Sequence, residues 1–159
     1  MAREIKFRGF SRNKNGKTTI IIDGKKVKGD WVYGDLVNSK ISVFKPTNKF
    51  VVIIESSFMN GGFFAAARKY LAFKSTVGQF TGLHDKNGKE IYEGDVVTNK
   101  WQNNKKQYVV EFSTEDIGSC GCCYGEFSGS GFVGQNGSER CRLGIRDEIE
   151  IIGNIHTQS

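Results

Sequence analysis

The chain has 159 residues, with 20 glycines, a single proline, 12 phenylalanines and a formal net charge of +6. That length suits one good core or two small ones, and the glycine-rich, proline-poor composition suits a turn-rich β protein. No apolar run approaches the ~20 residues a membrane-spanning helix needs, and the opening Met1-Ala2-Arg3-Glu4 has no apolar signal region, so a soluble cytoplasmic protein without membrane contact is expected.

Taken in order, Glu4–Arg8 alternates charged and apolar side chains, which predicts a half-buried strand with Ile5 and Phe7 inward and Lys6 and Arg8 outward. Gly9–Lys17 is polar and reads as a loop. Thr18–Ile22 and Lys25–Val27 flank Asp23-Gly24 and predict a hairpin. Trp31–Val37 and Ile41–Phe44 follow as strands, Pro46 breaks the run, and the β-branched Phe50–Glu55 predicts a buried strand. Ser56–Gly62 is a loop. In Phe63–Phe73, three alanines, Arg68 and Leu71 favour a helix; the prediction is a short helix or turn near 63–68 and a strand from about Tyr70.

The best hairpin signal lies at Asp85-Lys86-Asn87-Gly88, between Gln79–Leu83 and Glu90–Tyr92. Asn-Gly readily takes the positive φ angles of a tight turn, and the Asp85 carboxylate can accept a backbone N–H there. Gly94-Asp95 then opens a strand, the glycine permitting a twist and the aspartate capping amides. Strands are further predicted at Asp95–Trp101, at Gln107–Ser113 with Tyr108, Val110 and Phe112 on one face, and at Glu126–Val133. Glu148–Ile155 closes the set, with Ile149, Ile151 and Ile155 inward. A soft domain boundary falls near residue 75, between a β-rich unit over 1–75 and a barrel-like unit over 76–159.

Trp31-Val32-Tyr33-Gly34-Asp35-Leu36-Val37 echoes Tyr92-Glu93-Gly94-Asp95-Val96-Val97. Two copies suggest two similar β units or two equivalent corners of one, with chance similarity the alternative because Gly-Asp is a common turn pair. Gly34, Asp35, Gly94 and Asp95 from this motif and Asn87 and Gly88 from the Asn-Gly turn are the candidate turn residues. Four blocks together resemble the YopX-like family, encoded mostly by temperate phages and prophages: Arg3–Gly9, Trp31–Val37, Thr76–Val97, and Ile149–Ile155. Relatives usually have Asp-Pro-Glu before the Thr-Val-Gly-Gln, where this chain has Phe73-Lys74-Ser75. The resemblance implies a mainly β fold with an SH3-type barrel in the C-terminal half, a phage origin and a bacterial host cytoplasm. It supplies no catalytic residues.

Among candidate reagents, Cys120-Gly121-Cys122-Cys123 contains a Cys-x-x-Cys pair, and Cys141 follows 18 residues after Cys123. A structural zinc ion takes four N or S ligands, which Cys120, Cys123, Cys141 and His156 or Cys122 would have to supply. A second close pair around Cys141, the usual mark of a zinc ribbon, is absent from the sequence, so four reduced thiols are the plainer reading. With no secretory signal, a disulfide framework is not expected. His84 and His156 stand in no nucleophile motif. Asp35, Glu93 and Asp95 are the most suggestive carboxylates; turn roles account for both aspartates without catalysis, and nothing in the sequence favours a hydrolytic carboxylate dyad. Gly118–Gly137 lacks the Lys-Ser/Thr of a phosphate loop.

The charge is unevenly placed. Residues 1–60 hold 12 Lys/Arg against 5 Asp/Glu, +7, whereas residues 61–159 hold 11 against 12, −1. Lys6, Arg8, Arg12, Lys25, Lys26 and Lys28 are the candidate nucleic-acid contacts, with aromatic residues interleaved, although such basic stretches also simply solvate a surface. The first expectation is therefore a non-enzymatic accessory protein that self-associates and contacts a host or phage protein. Nucleic-acid binding through the basic half is the alternative, and a metal-assisted hydrolase using Cys120–Cys141 is the third.

Overall fold

The computed structural model describes residues 5–12, 14, 16–37, 50–58, 64–99, 106–114, 131–143 and 149–157. Within them the protein is mainly β, with one 3-10 turn at Lys74–Thr76 as its only helical element. It divides into two units, Met1–Gln79 and Phe80–Gln158.

The first unit contains β1 (Phe7–Ser11), β2 (Thr18–Ile22), β3 (Lys25–Val37), β4 (Phe50–Phe58), β5 (Phe64–Phe73) and the first residues of β6 (Gly78–His84). All pairings are antiparallel, in the order β2-β3-β4-β5-β1-β6. β1 also pairs with β3 from Phe7↔Gly34 to Ser11↔Asp30, and Ser11 meets Ala72 of β5, so the sheet curls back on itself as a half-barrel. Inside lie Phe10, Ile20, Ile22 and Val27, flanked by Trp31 and Phe73, and a second group of Val32, Ile53 and Ala72. The curl demands a close approach at Gly9, where a Cβ would stand 2.7 Å from the Ala72 Cβ. At the lead-in to β6, Thr76 Oγ1 accepts the Phe10 N–H (2.9 Å) and donates to the Phe73 carbonyl (2.7 Å), tying the 3-10 turn to β1.

Several expectations change here. β1 starts later than predicted and is buried on both faces, so Arg8 is buried while Ile5 is 64% exposed. The two strands expected at Lys25–Val27 and Trp31–Val37 are one 13-residue strand. The helix or turn expected near 63–68 is strand from Phe64 on: β5 pairs with β4 along its length, and that ladder overrides the alanines' helical preference. The strand predicted at Ile41–Phe44 lies outside the described residues.

In the second unit β6 continues from Phe80 against β7 (Glu90–Tyr92). A five-stranded antiparallel sheet follows, in the order β11-β10-β9-β8-β12, from β8 (Asp95–Asn99), β9 (Gln107–Ser113), β10 (Gly131–Asn136), β11 (Glu139–Arg142) and β12 (Ile149–Asn154). Its core is Ile91, Val97, Tyr108, Val110, Phe132, Cys141 and Ile149. β11 was missed, although Asn136-Gly137 signals its hairpin, with Gly137 at φ 59°. Ile152, on the outer face by simple alternation, is 44% exposed; a bulge between Ile151 and Gly153 then shifts the alternation so that Ile155 also faces outward, 47% exposed, against the prediction that it points in. Phe112 is likewise 44% exposed, its ring edge-on to Phe132 at 5.2 Å.

Candidate functional site

The β2–β3 hairpin closes with a two-residue turn, Asp23 at φ 50° and Gly24 at φ 72°, the pair of left-handed residues that matches the twist of the flanking strands. This turn sets Thr19 opposite Lys28 and Ile21 opposite Lys26, so these four residues share the ribbon's outer face while Ile20, Ile22 and Val27 enter the core. Lys17, Lys25, Lys26 and Lys28 are all exposed. Among the described residues none of these four lysines has an ion pair.

A second group of cations is held against rings. The Arg12 guanidinium lies 5.4 Å from the centre of the Phe73 ring. Lys14 Nζ donates to the Trp31 carbonyl (3.2 Å) and sits 5.9 Å from the Tyr70 ring. Arg8 stacks 4.6 Å over Trp31 and is buried there, and Lys6, just before β1, is half-buried. Of the six predicted contacts, then, Arg12, Lys25, Lys26 and Lys28 are presented to solvent, Lys6 partly, and Arg8 serves the packing. Sequence reasoning missed Tyr70 and Phe73, whose approach to Arg12 and Lys14 depends on a distant β1–β5 pairing that no local pattern reveals.

The predicted turn residues divide. Gly34 and Asp35 lie within β3, not at a corner: Gly34, at φ 150°, is where β3 exchanges β1 for β4 as its partner, and Asp35 is exposed. Gly94 and Asp95 do form a corner. Gly94 has φ 80°, and the buried Asp95 accepts the Tyr92 N–H (2.9 Å) and the Asn154 side-chain amide (3.3 Å). The sequence echo is therefore not a structural one. In the hairpin before it, Gly88 alone takes a positive φ, 78°, and Asn87 does not. Asp85 Oδ1 accepts the N–H groups of Asn87 (2.8 Å) and Lys89 (2.9 Å), and Oδ2 accepts that of Ile151 (3.4 Å). Burial raises the Asp85 pKa, and these hydrogen bonds outweigh it, holding the carboxyl below its ordinary value of 3.8.

Of the candidate metal ligands, Cys141 is buried in the second unit's core, and Cys120, Cys122 and Cys123 lie outside the described residues. His156 is half-buried, its N–H donating to Asn154 Oδ1 (3.0 Å), and His84 is exposed, edge-on to Phe80 at 5.6 Å. Among the described residues no three His, Cys, Asp or Glu side chains gather as a metal would require. No described helix is long and apolar enough to cross a membrane.

The family model for the YopX protein matches residues 6–159. The chain belongs to the YopX family. No curated protein matches it. The YopX match spans both units, so the basic hairpin and the Asp85 and Asp95 corners all lie within the family region.

Proposed function

We propose that this YopX-family chain is a binding protein rather than a catalyst, and that its basic first unit engages the phosphate backbone of nucleic acid. One observation carries the reading. Met1–Gln79 holds 15 Lys/Arg against 5 Asp/Glu, +10, whereas Phe80–Gln158 holds 8 against 12, −4. Lysines serving only to solvate the surface would be shared between the units. Here they are concentrated on one, and its hairpin presents several of them without an ion pair among the described residues. Cations of this kind neutralise phosphates and release counterions, which gives affinity without reading sequence.

The test is anisotropy of labelled single- and double-stranded oligonucleotides with the full chain, across a salt series. Contact with about five phosphates should cost roughly 500-fold in affinity between about 50 and 200 mM salt. No binding at low salt would end the proposal.

The YopX resemblance supports a phage or prophage accessory protein acting in a bacterial cytoplasm. The second unit's strand order supports an SH3-type reading, since β12 returns beside β8, the first strand of the β8-β9-β10-β11 meander. Zinc at Cys120, Cys123 and Cys141 is a separate matter, decided by elemental analysis of protein purified without chelator.

A further inference from the structure

β2 is an edge strand: it pairs with β3, and no other strand among the described residues pairs with it. Its sequence, Thr18-Thr19-Ile20-Ile21-Ile22, is β-branched throughout and has no charge or proline. Such composition extends a sheet, whereas guarded edges carry charges, prolines or bulges. Ile21, on the outer face, is 39% exposed. The charges at its ends are Lys17 and Asp23, both exposed.

The two-residue turn decides which backbone groups remain for a partner. In such a hairpin the closing residues, Ile22 and Lys25, exchange both N–H···O bonds, so Ile22, Ile20 and Thr18 direct theirs to β3. Thr19 and Ile21 therefore direct theirs outward. These two flank Ile20 symmetrically, as Lys17 and Asp23 do three residues away on either side. A second copy laid antiparallel about a two-fold axis at Ile20 sets each Thr19 against the other copy's Ile21, forming four N–H···O bonds. The same axis sets each Lys17 against the other copy's Asp23. Sliding two residues one way forfeits both ion pairs; sliding the other way sets Lys17 against Lys25. Charge thus selects the register that the backbone permits.

We propose that two copies of this chain join edge to edge through β2, antiparallel about Ile20, with Lys17 of each against Asp23 of the other. The contact is isologous and closes on itself, leaving neither β2 edge open. It depends on strand geometry and stands apart from nucleic-acid binding.

The experiment mixes isotopically light and heavy full-length protein, applies a zero-length carbodiimide cross-linker, and identifies peptides by mass. Within one chain Lys17 and Asp23 stand about 20 Å apart along the strand, beyond such a linker, so a Lys17–Asp23 product arises only between copies. Mixed-isotope Lys17–Asp23 peptides are expected, together with a dimeric mass in sedimentation. Lys17→Glu, which replaces two attractions with two repulsions, should raise the dimer Kd roughly tenfold or more. Ile21→Lys should do the same, and circular dichroism checks that each variant is folded. A monomer at the highest soluble concentration, a dimer without the Lys17–Asp23 product, or a dimer unmoved by Lys17→Glu would each overturn the proposal.

Discussion

At Asp85 a single carboxylate holds two amides of its own turn and one of β12, while Lys86 N–H donates to the Ile149 carbonyl (2.9 Å). Asp85→Ala leaves these donors unsatisfied and should cost about 1–3 kcal/mol, read as a lower urea midpoint near neutral pH. Because the folded pKa lies below the ordinary 3.8, the carboxylate's contribution is fully present above that value and is lost as pH falls through the folded pKa. The stability gap between the native chain and Asp85→Asn should therefore be constant near neutrality and narrow below about pH 4. The role of Asp85 was legible from Asp-x-Asn-Gly alone. That Asn87 keeps a negative φ was not, because a turn in which Gly88 alone is left-handed uses the same residues.

At the scale of elements, turn chemistry read well and strand faces read poorly. Asp23-Gly24, the strand Thr18–Ile22 and the strands Glu90–Tyr92 and Gln107–Ser113 stand where the pattern put them. Local residues specify these. β1 failed as an alternating strand because it is covered on both sides, and the first half of β5 failed as a helix or turn because its partner β4 decides its conformation, while the strand expected from about Tyr70 is there; the failures are non-local facts. The paired Gly-Asp motifs differ for the same reason, one bending a strand between partners and the other closing a corner. Gly88 and Gly94 allow a clean comparison. A Cβ at Gly88 meets nothing within 4 Å, while one at Gly94 meets Ile155 at an ordinary 3.4 Å, so neither clashes. Alanine at either site should cost about 1–2 kcal/mol through the left-handed backbone alone, seen as similar drops in thermal midpoint. A far larger loss at Gly94 would mean that Ile155 cannot give way.

For the molecule as a whole, the skew toward a basic N-terminal side was visible in the sequence, but its extent was not. Arg68, Lys69 and Lys74 join the basic unit only because β5 and the 3-10 turn belong with β1 and β4, which raises +7 over residues 1–60 to +10 over Met1–Gln79. If phosphate binding is spread over exposed cations of that unit, replacing Lys25, Lys26 and Lys28 together with glutamine should reduce the magnitude of the salt slope by up to about 3, roughly one per lost contact. Lys86→Gln with Lys89→Gln removes two positive charges from the acidic unit and should leave affinity within about twofold, since charges outside the contact surface act only through a screened field. Lys86 also pairs with Glu150 at 2.6 Å, so its charge is already opposed. Equal losses from the two sets of substitutions would show that net charge alone, rather than the β2–β3 ribbon, governs binding.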